Sequence, residues 1–204
     1  MSKKPIIVFE GIEGSGKSFH IDNVAKYLKK KKIKFIKIRE PGGNPNSEKI
    51  RELILNNKSN FNKNTDLLLY MASRSENINL IQKYYGKRII LIDRFIDSTI
   101  AYQHYGMGVN LKLIKILNDF LLKGVRVNFT FLNIVNSKNM SVRLKKRMSL
   151  NRYDQFNTQF YKKVQAGFIK LSKIDKKKYL KVDSNLDISF NKKMIISKID
   201  NLIK

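Results

Sequence analysis

The segment Gly11-Ile12-Glu13-Gly14-Ser15-Gly16-Lys17-Ser18 leaves this chain few folds to choose from. It matches G-x-x-x-x-G-K-[ST], a pattern that carries meaning only between a strand and a helix. Both flanks are present. The apolar run Ile6-Ile7-Val8-Phe9 precedes it, and Ile21, Val24, Ala25 and Leu28 follow at helical spacing. Glycines let successive backbone N–H groups turn inward around an anion, and the helix N-terminus adds the positive end of its dipole. Residues 11–18 are therefore expected to cradle a nucleoside triphosphate. Lys17 would place a point charge on the outer phosphates, and the Ser18 hydroxyl would reach Mg²⁺. The competing reading is a glycine-rich turn ending in a solvated lysine, and the strand and helix on either side argue against it.

The rest of the chain repeats that alternation. Four further short apolar runs are Phe35–Ile38, Ile89–Ile92, Val127–Leu132 and Tyr179–Val182. Between and after them lie amphipathic stretches near 18–31, 47–57, 65–84, 96–105, 111–123, 138–148, 156–173 and 187–203. Near-continuous apolar strands separated by helices indicate a parallel sheet covered on both faces. The expected fold is α/β of the P-loop NTPase type: a doubly wound, five-stranded parallel sheet with helices on both faces. Ligands would bind at the carboxyl ends of its strands. No repeat or linker divides the sequence, so a single domain over 1–204 is expected.

Composition bounds the chemistry. There are no cysteines and only two histidines, His20 and His104, which excludes disulfides and thiol catalysis and argues against a structural zinc site. No stretch approaches the ~20 continuous apolar residues of a membrane span. Met1 to Pro5 run straight into the first apolar segment, so no secretory leader and a cytoplasmic location are expected. The formal net charge of +26 would ordinarily suggest nucleic acid as a partner. The lysines, however, are dispersed rather than striped with aromatics, and alanine occurs only at 25, 72, 101 and 166. That usage fits drift in an AT-rich genome combined with polyanionic substrates, and no obligate nucleic acid is expected. The runs Lys29–Lys32 and Lys176–Lys178 fall at helix ends, where cations offset the dipole.

Other constellations gain weight from the loop. Asp93 ends the third apolar run, a position suited to holding Mg²⁺ through water, and Arg94 follows with a guanidinium matched to phosphate. Taken alone, the pair would be an ordinary surface contact. Tyr70 and Arg74 stand four apart on one helical face, suited to a ring stacking on a base while a guanidinium bonds its edge, or else to plain packing. Arg143, Arg147 and Arg152 punctuate a polar stretch, either a lid over a phosphoryl group at about 143–155 or a solvated basic helix.

Taken together, these segments resemble the thymidylate kinase family from end to end. The signatures occur in order: Phe9-Glu10-Gly11, then Arg39-Glu40-Pro41-Gly42-Gly43, then Asp93-Arg94-Phe95-Ile96-Asp97-Ser98-Thr99-Ile100-Ala101-Tyr102-Gln103. Asn151-Arg152-Tyr153-Asp154 and the following Phe160–Val164 and Gly167-Phe168 resemble the family's lid and next helix, in the bacterial type that carries arginines there. The resemblance implies transfer of a phosphoryl group from ATP, with Mg²⁺, to dTMP, giving dTDP for dTTP synthesis. It implies that Glu13 accepts the deoxyribose 3′-hydroxyl, and that Arg51 and Arg94 bind the acceptor phosphate. Tyr70 would stack on thymine, and Arg74, Thr99 and Gln103 would surround the base edge. Tyr102 would crowd the 2′ position, and Lys17, Arg94, Arg147 and Arg152 would act on the transferring group. Homodimerisation is also implied. The alternatives are another P-loop nucleoside-monophosphate kinase and a nucleic-acid-binding P-loop ATPase. His104 is expected to be a bystander.

Overall fold

The structure, a computed structural model, describes residues 4–203. Ile6–Glu10 (β1), Phe35–Arg39 (β2), Ile89–Asp93 (β3), Phe129–Ile134 (β4) and Tyr179–Asp183 (β5) form one five-stranded parallel sheet in the order β2-β3-β1-β4-β5. Alternation along the strands decides the layers, because successive side chains leave opposite faces. Ile7, Phe9 and Leu91 pack with Ile21, Val24 and Leu28 of the helix Lys17–Lys30 (α1) on one face. Ile195 and Ile199, from the helix Ile188–Ile203, complete that layer. On the other face Ile6, Val8, Ile90 and Ile92 meet Ile78 and Ile81 of the helix Lys63–Tyr84.

The strand ends are in register where it matters. Phe9 stands opposite Asp93, and Arg39 opposite the same Asp93, so the carboxyl ends of β1, β2 and β3 open onto one cleft. β1 is central: the connection from β1 runs out to β2 on one side and the connection from β3 crosses back past β1 to β4 on the other, and this reversal makes the carboxyl edge the place for a ligand.

Between the strands lie Pro45–Leu55 (α2), Lys63–Tyr84 (α3), Ile96–Thr99 (α4), Leu111–Leu122 (α5) and Ser137–Lys145 (α6). Thr158–Ile174 (α7) precedes β5, and Ile188–Ile203 (α8) follows it. Three boundaries differ from the sequence reading. β4 starts at Phe129 rather than Val127, because the Asn128 side chain accepts from Ile6 N at 2.8 Å and caps the pairing there. The helix expected over 96–105 is α4 followed by a π-helix, Ile100–Gly106. Wider turns of this kind often occur at functional sites. α6 ends at Lys145, and the polar stretch beyond it turns into a short 3₁₀ helix, Arg152–Gln155, capped by Asn151 and Asp154.

Candidate active site

The loop after β1 is shaped by its glycines. Gly11 has φ +139°, and a Cβ on it would stand 2.3 Å from the Asn133 carbonyl oxygen of β4. Only glycine fits there. Arg143 of α6 donates to Gly14 O at 2.9 Å and to Ser184 O at 2.6 Å, while Ser184 Oγ donates to Ser15 O at 2.7 Å. Two elements distant in sequence thus staple the loop from outside. Lys17 is buried and its Nζ donates to Ile12 O at 2.7 Å. Burial, then the nearby Arg94 charge, presses its ammonium down to about 7. Asp93, Glu13 and Glu10 oppose that shift without cancelling it.

Ser18 Oγ donates to Asp93 Oδ2 at 2.9 Å, so the two residues expected to hold a metal are adjacent. A hydroxyl and one carboxylate are a sparse oxygen set, which fits Mg²⁺, an ion that keeps most of its waters and takes phosphate oxygens. Among the described residues no group of three or more His, Cys, Asp or Glu forms a metal cage.

Arg94 takes a left-handed backbone, φ +64°, uncommon for a residue with a side chain. Its guanidinium is held by Gly11 O at 2.8 Å, by Glu13 Oε1 at 2.7 Å and over the Tyr102 ring at 5.2 Å. Tyr102 donates to the other Glu13 oxygen. Burial alone would raise the Glu13 carboxyl, but Arg94 and Lys17 outweigh it and hold it below its ordinary range. Arg51 reaches the same space, donating to Pro41 O at 2.6 Å, its charge disfavoured by burial and then by Arg39. Lys17, Arg51 and Arg94 therefore line the cleft together with Arg39, Arg74 and Arg147, against the carboxyl groups of Glu13, Glu40 and Asp93.

The cleft is also lined by Tyr70, Arg74, Thr99 and Gln103. Tyr70 packs edge-on against Tyr153, ring centroids 5.9 Å apart. Arg74 lines the cleft and shares its guanidinium with the core. It is 1% exposed and already binds Glu40 at 2.8 Å, Asn118 at 2.5 Å and Thr99 at 3.0 Å. Arg74 is as much a core strut as a cleft residue.

The polar stretch divides the lid arginines. Arg147 lines the cleft and pairs with Asp154 at 2.5 Å. Arg152 does not reach it. Its guanidinium donates to Ile54 O at 3.0 Å, pairs with Asp66 and lies over the Phe61 and Tyr153 rings. In this arrangement Asp66, a buried residue on α3, holds the Arg152 guanidinium outside the cleft lining. His104 binds Val109 O at 2.8 Å and does not line the cleft.

Sequence reasoning gave Glu10 no role, yet it organises the site. Its carboxyl accepts from Phe95 N at 2.8 Å, Ser98 N at 3.2 Å and Ser98 Oγ at 2.5 Å, which seats the start of α4 and aims Arg94. Burial, then the neighbouring Asp97, raises it to about 7. The available signal was an acidic residue ending an otherwise apolar strand.

A family model described as Thymidylate kinase matches residues 9–195. The thymidylate kinase of Kosmotoga olearia is 35% identical over 184 residues, 89% of this chain and 88% of that protein. That of Thermosipho africanus is 40% identical over 170 residues, 82% and 84% of the two chains. Among solved structures, a thymidylate kinase from Ehrlichia chaffeensis superposes with a TM-score of 0.78 at 30% identity, covering 97% of this chain and 99% of that one.

Proposed function

Because this chain belongs to the thymidylate kinase family, we propose that its cleft moves the terminal phosphoryl group of ATP onto the 5′-phosphate of dTMP. It is a kinase, and it converts dTMP to dTDP. One observation carries the assignment of roles: Lys17 and the Ser18–Asp93 pair line the same cleft as Tyr70, Arg74, Thr99 and Gln103. The loop of residues 11–18 holds the ATP phosphates, and Arg51 and Arg94 hold the acceptor phosphate. Ser18 and Asp93 would hold Mg²⁺, which when bound neutralises phosphate oxygens.

The attacking atom is a phosphate oxygen already ionised at neutral pH, so the site needs no general base. Positioning and charge neutralisation supply the catalysis. Glu13 has free lone pairs for the sugar 3′-hydroxyl beside the contacts it makes to Arg94 and Tyr102. Tyr70 offers a ring face to thymine. The test is ADP release with dTMP, dUMP, dCMP, dGMP and single-stranded DNA offered in turn. We expect dTMP to give the highest kcat/KM; stimulation by DNA and not by dTMP would overturn the reading.

Homodimerisation belongs to the same reading. Leu113, Ile116 and Phe120 of α5 recur at i, i+3 and i+7, and all are exposed, as is Leu68 on the neighbouring α3. Phe120 is 72% exposed, a large apolar side chain to leave in water. Sedimentation should give twice the chain mass of 23.9 kDa, and Phe120→Lys should shift it toward the monomer. A monomeric wild-type protein would remove this part of the proposal. Among the described residues no helix is long and apolar enough to cross a membrane, and we place the reaction in the cytoplasm.

A further inference from the structure

Tyr153 is 3% exposed and its ring forms part of the cleft wall, yet the assigned roles leave it unused. Its hydroxyl donates to Asp66 Oδ2, and Asp66, 1% exposed, is paired on its other oxygen with Arg152. A phenol has one proton to give. Spent on Asp66, it leaves the Tyr153 oxygen able only to accept.

Gln103 Nε2 lies 3.2 Å from that oxygen. The amide must therefore turn its NH₂ group toward Tyr153. Its carbonyl oxygen faces elsewhere, and it is buried with no hydrogen-bond partner, in a fully buried residue that lines the cleft beside Arg74 and Thr99. A buried acceptor left unpaired is costly, and a ligand donor that satisfies it is correspondingly favoured.

We propose that Asp66 and Tyr153 are positioning residues that lock the Gln103 amide with its acceptor toward the base, so that the cleft selects a base with a ring N–H. This rests on the reading that Gln103 faces the base. Thymine presents N3–H as a donor flanked by carbonyl oxygens, one of which suits the Arg74 guanidinium. Cytosine presents a bare N3 acceptor and an amino group, the reverse polarity. A Gln103 free to turn over would offer its NH₂ group to cytosine N3. The Asp66–Tyr153 relay forbids that turn. A site that leaves buried polar groups unpaired with the wrong ligand discriminates far better than an apolar pocket does.

The measurement is the ratio of kcat/KM for dTMP to that for dCMP. Both substrates are read on the same protein, so a general loss of folded enzyme cancels. Tyr153→Phe removes the acceptor that orients the amide, and the ratio should fall tenfold or more, mainly through KM. Asp66→Asn acts on the relay from its other end. The asparagine NH₂ can donate to Tyr153, freeing the phenol proton for Gln103 Oε1 and turning the amide over. The ratio should again fall, and this variant decides the matter if Tyr153→Phe does not fold. Gln103→Leu separates the two layers. If it collapses the ratio while both relay variants keep the wild-type value, the relay is wrong and the base-edge reading stands. If it leaves the ratio intact, Gln103 does not face the base, and both fall together.

Discussion

Lys17→Ala is expected to lower kcat by a thousandfold or more while leaving the fold in place. Its ammonium is set inside the curve of the phosphate loop, donating to Ile12 O at 2.7 Å and Ser15 Oγ at 3.3 Å. No other lysine or arginine occurs between Gly11 and Ser18 to replace it. Preorganised charge aimed at a phosphoryl group in transit supplies several kcal/mol of barrier lowering, each ~1.4 kcal/mol being tenfold in rate. A pH effect follows from the same burial. The Lys17 ammonium is pressed down to about 7, so an anionic phosphate that favours the charged form draws a proton onto it above that pH. ATP affinity should therefore weaken as pH rises from 7 to 9 in the wild type, and less so in the variant. Steady-state kinetics and a pH series of ATP titrations check both statements. A tenth of wild-type turnover retained would remove Lys17 from the chemistry.

Arg74→Ala should cost more than a substrate contact. The substitution leaves Glu40 buried beside an empty position and takes a partner from Thr99 and from Asn118. Breaking a buried pair from one side typically costs about 3–5 kcal/mol, a large share of the stability of a domain. Protonation of the stranded carboxyl limits that loss. Burial already raises the Glu40 carboxyl, with Arg74 opposing, and removing Arg74 raises it further. A carboxyl raised above its unfolded value contributes stability below that unfolded value and loses it as pH rises through the folded one. The deficit in Tm should therefore be smallest at acid pH and grow toward neutrality. Glu40→Gln added to Arg74→Met should restore much of the stability, while the KM for dTMP stays raised more than that for ATP. Thermal melts of the single and double variants across pH, with both KM values, settle which role dominates. A single variant melting within a degree of wild type would show that the pair contributes nothing to the fold.

What could be read in advance divides by sequence distance. The loop of residues 11–18 is contiguous and its chemistry is local, so its strand, its turn and its helix were legible together. The Ser18–Asp93 meeting was also legible, since any parallel sheet of this kind brings its strand ends to one edge. The partners of the arginines were not. Arg74 meets Glu40 across 34 residues and Arg152 meets Asp66 across 86, and no local pattern marks which buried carboxylate will claim which guanidinium. The π-helix Ile100–Gly106 was hidden for another reason. Its apolar spacing fits an α-helix well enough over seven residues that one extra residue per turn leaves no trace.

The placement of β1 also bears on how the protein comes to exist. β1 is the first strand to be synthesised, and its two neighbours are the third and fourth, with Ile6 opposite Ile90 and Ile7 opposite Phe129. At ~5–20 residues per second, the second of those partners leaves the ribosome roughly 6–25 seconds later. Until β3 emerges Ile6-Ile7-Val8-Phe9 has neither neighbour, and its β4 side stays without a partner strand for the whole interval. The residues that make the cleft possible are thus the ones most in need of shelter during translation.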